Sequence, residues 1–309
     1  MKICFIGCSG HAEHTYLEMK NCPEAEFVGI AAGSSHEDPA AWAARGLKVF
    51  DSWQEMLDTT KPDVAVVCPV FGLTGKFIIE CAQRGIDVFA EKPVAASLAE
   101  LEQVEQAVME SGIHFCAMHY LRYEPTFYHA LKLVRQGAIG DVRMITAQKS
   151  YKYGTRPDWF RDRALFTGTI PWVGMHAFDW VYAFSGKRFL KVNAMHMGNP
   201  ETVALCQFSM EDGVMASVNI DYCRPAAAPS HFDDRIRVVG TTGILEVSRE
   251  KYSLLTDGEC AEFKAAEAPM LALDFLLKRE EVTADEVLYL TKVALAARES
   301  ADRNEEITI

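Results

Sequence analysis

No stretch of this 309-residue chain approaches the ~20 consecutive apolar residues that a membrane-crossing helix requires. Met1 to Ile6 is too short for the apolar core of a signal peptide, so a cytoplasmic location away from any membrane is expected. Basic runs are missing as well: 31 Lys and Arg stand against 43 Asp and Glu, a formal net charge of −12. A phosphate backbone is held by clustered cations that release its counterions, so nucleic acid is excluded as a partner. The nine cysteines, from Cys4 to Cys260, contain no Cys-x-x-Cys pair and no paired His at zinc spacing. They read as reduced, buried thiols, with no metal site. Internal repeats and low-complexity segments are absent too, and Lys278-Arg279-Glu280-Glu281 reads as a solvated helix end.

What is present is the balance of a soluble globular protein, 49% hydrophobic and 24% charged, in a chain long enough for two domains. From Lys2 to Cys116, short apolar runs alternate with amphipathic helical stretches, the pattern of βαβ units around a parallel sheet. Six runs fit strands buried on both faces: Ile3 to Ile6, Phe27 to Ala31, Lys48 to Phe50, Val64 to Val67, Asp87 to Phe89 and His114 to Ala117. Ser97 with Glu100 reads as a capping box opening a helix. After Cys116 the rhythm becomes a helix over about 125–136, then longer alternating strands around 141–151, 202–209, 213–221 and 235–247, separated by turns such as Glu211-Asp212-Gly213. The fold class expected is α/β: a Rossmann-type, doubly wound parallel sheet over residues 1–119, then an α+β domain over 120–309 with an open, mostly antiparallel sheet. A closing amphipathic helix, 284–301, is expected to pack back on the first domain.

The first strand runs into Gly7-Cys8-Ser9-Gly10-His11-Ala12, which matches G-x-G-x-x-G/A with Ser at the second glycine and Ala at the third. With a strand before it and a helix after it, the turn offers backbone amides to a pyrophosphate, making Gly7, Ser9, Gly10, His11 and Ala12 cofactor candidates. An acid that reads the ribose belongs at the end of the second strand, but Ala31-Ala32-Gly33-Ser34-Ser35-His36 supplies none. Ser34 and Ser35 become the ribose-side ligands, and the choice between NAD and NADP leans to NADP.

Phe89-Ala90-Glu91-Lys92-Pro93 resembles the E-K-P motif of the Gfo/Idh/MocA family, the glucose-fructose oxidoreductase and inositol dehydrogenase group. The resemblance runs through Cys68-Pro69 at the family's T-P turn, His119-Tyr120-Leu121-Arg122-Tyr123-Glu124-Pro125, Gly174-x-His176-x-x-Asp179 and Ala296-Ala297-Arg298-Glu299-Ser300. It implies that Lys92 and His176 are catalytic, that Cys68, Pro69, Glu91, Lys92 and Pro93 border the cofactor, and that copies pair through the open sheet face into a homodimer or homotetramer. Hydride transfer from an alcohol needs a base for the hydroxyl proton, a task that suits a poorly solvated lysine. Helical spacing sets His176 beside Trp172 and Asp179, and Asp179 is expected to orient the imidazole. The chain departs from the family twice. Trp172 stands where many of these dehydrogenases carry Asp, and Val70-Phe71-Gly72-Leu73 replaces an N-x-x-H segment.

Aromatic and Arg residues from Tyr151 to Arg161 suit either a sugar pocket or a packing loop, which makes Arg156, Trp159 and Arg161 substrate candidates beside Arg122, Trp172 and Asp179. Asp221-Tyr222-Cys223-Arg224-Pro225 and His231-Phe232-Asp233-Asp234-Arg235 resemble a subgroup pattern of the family, in which Arg224 and His231 reach substrate, while a structural strand-end salt bridge explains Asp234 and Arg235 equally well. The expected activity is NAD(P)-dependent oxidation of a hydroxyl, or reduction of a ketone, on a sugar, polyol or related small molecule. The rival readings are a non-catalytic NAD(P)-binding sensor and an NAD-assisted lyase or glycosidase.

Overall fold

The computed structural model describes residues 1–265 and 267–309. They form two compact units: Met1–Met118 with Trp159–Thr167 and Met270–Thr291, and His119–Asp158 with Gly168–Pro269 and Lys292–Ile309.

In the first unit the chain alternates β1 (Lys2–Ile6), α1 (Ala12–Met19), β2 (Glu26–Ala31), β3 (Val49–Phe50), α2 (Trp53–Thr60), β4 (Val64–Val67), α3 (Thr74–Ala82), β5 (Asp87–Ala90), α4 (Leu98–Ser111) and β6 (Phe115–Ala117). All six strands are parallel, in the order β3-β2-β1-β4-β5-β6. This is the doubly wound sheet the sequence predicts, and its reversal of strand order falls between β1 and β4. Ile3 to Ile6 and Ala65 to Val67 are fully buried, because helices cover both faces of a parallel sheet. Ser97 Oγ accepts from Glu100 N, as a capping box requires, but the Glu100 carboxylate takes the Ala96 amide rather than that of Ser97. Gly112, at φ +64°, ends the helix.

The chain continues through α5 (Pro125–Arg135), β7 (Val142–Tyr151), the short α6 (Arg163–Phe166) of the first unit, α7 (Met175–Ser185), β8 (Phe189–Gly198), β9 (Glu201–Met210), β10 (Met215–Asp221), β11 (Phe232–Gly240), β12 (Gly243–Ser248), β13 (Tyr252–Thr256) and β14 (Cys260–Phe263). It closes with α8 (Leu271–Leu276), α9 (Ala284–Arg303) and β15 (Ile307–Thr308). The second unit's sheet runs β14-β13-β12-β11-β7-β10-β9-β8-β15 and is antiparallel except where β7 lies parallel to β10. Buried Ile145, Ala147, Val218, Ile236 and Val238 alternate with side chains on the other face, as a sheet covered on one side demands. The helices α5 and α7 lie against β12 and β7 of this sheet. The range 235–247 falls in the hairpin β11–β12, which turns at Gly240-Thr241-Thr242-Gly243, a turn signal already present in the sequence. Strand β8 went unpredicted, although Lys191 and Asn193 alternate there with the buried Val192 and Ala194.

Candidate active site

Each glycine of the first turn is fixed by its neighbours. Gly7 adopts φ +85°, and a Cβ there would sit 2.3 Å from the Cys68 carbonyl oxygen. Gly10, at φ +58°, passes so close to Glu91 that a Cβ would meet its carboxylate at 2.1 Å. The Ser9 amide donates to the Cys68 carbonyl at 2.9 Å, lacing the turn to the end of β4. The Cys68 side chain is fully buried, its thiol 3.8 Å from Met118 Sδ, so only its backbone serves the turn. Pro69 is buried against Gly33, where a Cβ would stand 2.7 Å from the proline ring. Ala12 is buried and packs as the first residue of α1.

Glu91 was expected to border a nucleotide. It is fully buried and faces the protein instead, accepting from His11 N at 2.7 Å and lying 2.8 Å from His11 Nδ1. Its other oxygen accepts from the Lys92 amide at 2.9 Å. Burial would raise this carboxyl, but His11 and Lys92 outweigh it and hold the group below the usual carboxylate range. The acid therefore braces the first turn to the segment carrying Lys92. Lys92 itself is 2% exposed and follows β5 at the carboxyl edge of the sheet, joined to Pro93 by a cis peptide.

An acid does stand at the end of β2, contrary to the sequence reading. Glu37, six residues past Ala31, turns back to accept from Cys8 N at 2.9 Å, Ser9 Oγ at 2.8 Å and Gly33 N at 3.1 Å. Ser34 Oγ bonds this same carboxylate, and Ser35 is exposed. Burial pushes the Glu37 carboxyl up, against the hydrogen bonds that favour its charged form. The signal was the short loop Gly33 to His36, which returns the chain to the turn.

In the second unit His176 is 3% exposed in the first turn of α7, after a π-turn over Ile170–Gly174. Asp179, expected to orient His176, is claimed by other partners. Arg122 Nε lies 3.1 and 3.2 Å from its two oxygens, Arg122 Nη2 also bonds it, and His119 Nδ1 is 3.2 Å away. Burial would raise the Asp179 carboxyl, yet Arg122 and His119 hold it below its ordinary value. Arg122 is 2% exposed, so its guanidinium neutralises Asp179 instead of presenting itself to substrate.

The loop from Tyr151 to Arg161 divides. Arg156 lies over the Tyr222 ring at 5.2 Å, and Tyr222 also bonds Trp172. His231 is exposed and edges Tyr151 at 5.6 Å, its imidazole pushed down by partial burial and by Arg156, Lys152 and Arg249. Trp159 belongs to the first unit. It is buried edge-on against Phe71 at 5.0 Å, so it packs instead of offering a sugar platform, while Arg161 is exposed. Phe160 and Phe166 complete that cluster, which accounts for Phe71 in the segment that lacks N-x-x-H. Arg235 pairs with Asp233 rather than Asp234. Asp234 instead meets Arg249 at 2.7 Å and the fully buried Lys149 at 2.5 Å, a cluster the sequence did not suggest; burial pushes Lys149 down to about 7 despite that partner. Among the described residues no group of three His, Cys, Asp or Glu could hold a metal, and no helix is long and apolar enough to cross a membrane.

A strand, a turn with two left-handed glycines, a helix N-terminus and an acid folded back from the next strand together define a dinucleotide-binding unit of the Rossmann class. The residues fit a nicotinamide dinucleotide: Glu37 offers a carboxylate on the ribose side, and the turn leads into the N-terminus of α1. Residues 1–119 match the Gfo/Idh/MocA oxidoreductase family model with its NAD-binding Rossmann fold, and 127–246 match a C-terminal domain model of the same family. The chain belongs to that family. A solved structure of a Thermotoga maritima oxidoreductase is 40% identical, with each chain covered completely and a TM-score of 0.96. An uncharacterized oxidoreductase of Streptococcus pneumoniae is 28% identical over 52% of this chain and 41% of its own length. The scyllo-inositol 2-dehydrogenase (NADP(+)) of Bacillus subtilis is 26% identical over 55% of this chain and 49% of its own. The chain thus spans about half the length, or less, of these two curated relatives.

Proposed function

We propose that the protein is an NAD-dependent dehydrogenase that oxidises a hydroxyl of a sugar, polyol or related small molecule, or reduces the matching ketone. Residues 1–119 bind the nucleotide and 120–309 carry the substrate side. The observation that supports this most is Lys92, an amine with 2% exposure at the carboxyl edge of a parallel sheet, tied through Glu91 to the dinucleotide turn. A bound nicotinamide supplies the hydride acceptor. Lys92 takes the hydroxyl proton at Nζ as the general base. His176 bonds the substrate, and Arg156, Trp172 and His231 line the approach. Glu37 reverses the lean to NADP: its carboxylate suits a ribose diol and repels a 2′-phosphate.

The uncovered face of the second sheet exposes the neighbours Met144 and Met215 and, farther along, Met195 and Met197, apolar side chains suited to pairing two copies into a homodimer or homotetramer. A cytoplasmic location fits nine free thiols. The test is nicotinamide absorbance across a panel of polyols and sugars. Turnover should appear with at least one member and fall about 10²–10⁴-fold in Lys92→Met, with cofactor affinity kept. Cofactor binding without turnover on any member would favour the sensor reading instead.

A further inference from the structure

His231 is exposed on the connection between β10 and β11, with its ring edge-on to Tyr151 at 5.6 Å. Partial burial pushes its imidazole down, and Arg156, Lys152 and Arg249 push it further the same way. Three cations from three segments of the second unit thus face one exposed ring.

They are held in two ways. Arg249 is neutralised by Asp234 at 2.7 Å and Glu124 at 3.3 Å. Lys152 Nζ instead donates to the Ala226 carbonyl at 2.8 Å and to that of Ala228, while Arg156 lies over the Tyr222 ring at 5.2 Å with Nη2 3.5 Å from the Lys152 carbonyl. Burial pushes the Tyr222 phenol up to about 12, so it stays neutral. Carbonyl dipoles and a ring face fix a cation in place without cancelling its charge. In a chain of net charge −12, the result is a local positive field around His231.

The patch is also preorganised. Lys152 N donates to the His231 carbonyl at 2.9 Å, and Arg224 Nε donates to the neighbouring Ser230 carbonyl at 2.9 Å. Arg224, expected to reach substrate, pairs with Asp233 at 3.5 Å and fastens this loop instead. Tyr151 and Tyr153 are half-buried beside the cations, and Tyr153 stands edge-on to Tyr222 at 5.7 Å.

We propose that this patch selects sugars or polyols that carry an anionic group, a carboxylate or a phosphate, which Arg156 bonds while Lys152 and His231 favour it by their charge. This rests on the reading that the second unit carries the substrate side. A guanidinium fork matches both anions, and tyrosine rings beside it suit the C–H face of a sugar. A neutral polyol would leave the positive field unanswered.

The probes are sodium gluconate, sodium glucuronate and glucose 6-phosphate, set against sorbitol and glucose at matched ionic strength. In the wild-type NADH complex with ¹⁵N-labelled histidine, a bound anion should raise the midpoint of the His231 titration by about half a pH unit or more, and the neutral probes should not move it. The probe that responds distinguishes carboxylate from phosphate. No response to any acidic probe, or an equal response to sorbitol, overturns the proposal. In turnover, kcat/KM should be at least about tenfold higher for the responding acid than for its neutral counterpart, and Arg156→Gln should lower it about 10²-fold, mainly through KM. An equal loss for the neutral compound also overturns the proposal. If nothing is turned over but His231 responds, the dehydrogenase reading falls and the anion site stands. If neutral polyols are turned over in a Lys92-dependent way and His231 is unmoved by the acids, this proposal falls alone.

Discussion

The two units hold their buried charges in different ways. In the first, Glu91 gathers partners from the turn after β1 and from its own neighbour Lys92, all brought to one sheet edge by the parallel register of β1, β4 and β5. In the second, Asp179 on α7 gathers Arg122 and His119 from a segment about 57 residues earlier in the chain. One arrangement follows from strand order, the other from helix packing. The difference teaches where function can be sought by register and where only the folded chain reveals it.

Breaking the second arrangement should cost most. Arg122→Met leaves the Asp179 carboxylate buried and without its guanidinium, and should lower unfolding free energy by about 3–5 kcal/mol, read by urea denaturation. A loss below about 1 kcal/mol would mean that solvent reaches Asp179.

Acid unfolding sharpens the same contrast. Asp179 and Glu91 both have carboxyls held below their ordinary values in the folded state. Their stabilisation is therefore complete above the unfolded carboxylate range near pH 4 and disappears as pH falls through the lower folded values. Asp179→Asn should make stability less dependent on pH below about 4, and an unchanged acid limb would show that the pair does not couple to protons.

Glu37 gives a smaller effect of a different kind. Glu37→Ser removes the charge beside the ribose and should move the ratio of NAD to NADP kcat/KM toward NADP by roughly tenfold, about 1.4 kcal/mol, measured with both cofactors. An unchanged ratio would place the ribose elsewhere. The smallest expected change is Ser97→Ala, which removes the hydroxyl accepting from Glu100 N and should cost about 1 kcal/mol of stability with no effect on turnover.

The contrast also explains how much could be read from the sequence. The inner strands of the first sheet were legible because β1, β4 and β5 are nearly unbroken apolar runs, as burial on both faces requires. Lys92 and the glycine turn were legible because motif and secondary structure coincide there. Glu37 was not, since it lies six residues past its strand and returns only through a loop whose path depends on Gly33 and Pro69. The partner of Asp179 was misread because helical spacing offers His176, whereas the folded chain brings Arg122 and His119 from far away in sequence. Trp159 was ambiguous in principle: an aromatic ring suits a sugar face or another ring, and Phe71 decided the matter. β13 and β15 are short strands at or near the sheet's edges, too brief to produce a period of their own.

The central claim is that a sheltered Lys92 deprotonates a hydroxyl while hydrogen leaves the adjoining carbon for the nicotinamide. Turnover of a polyol deuterated at that carbon tests it most directly, with mass spectrometry of the nucleotide. One deuterium should appear in the reduced cofactor per product formed, and Lys92→Met should form neither. Product released with the cofactor unlabelled and still oxidised would contradict the account.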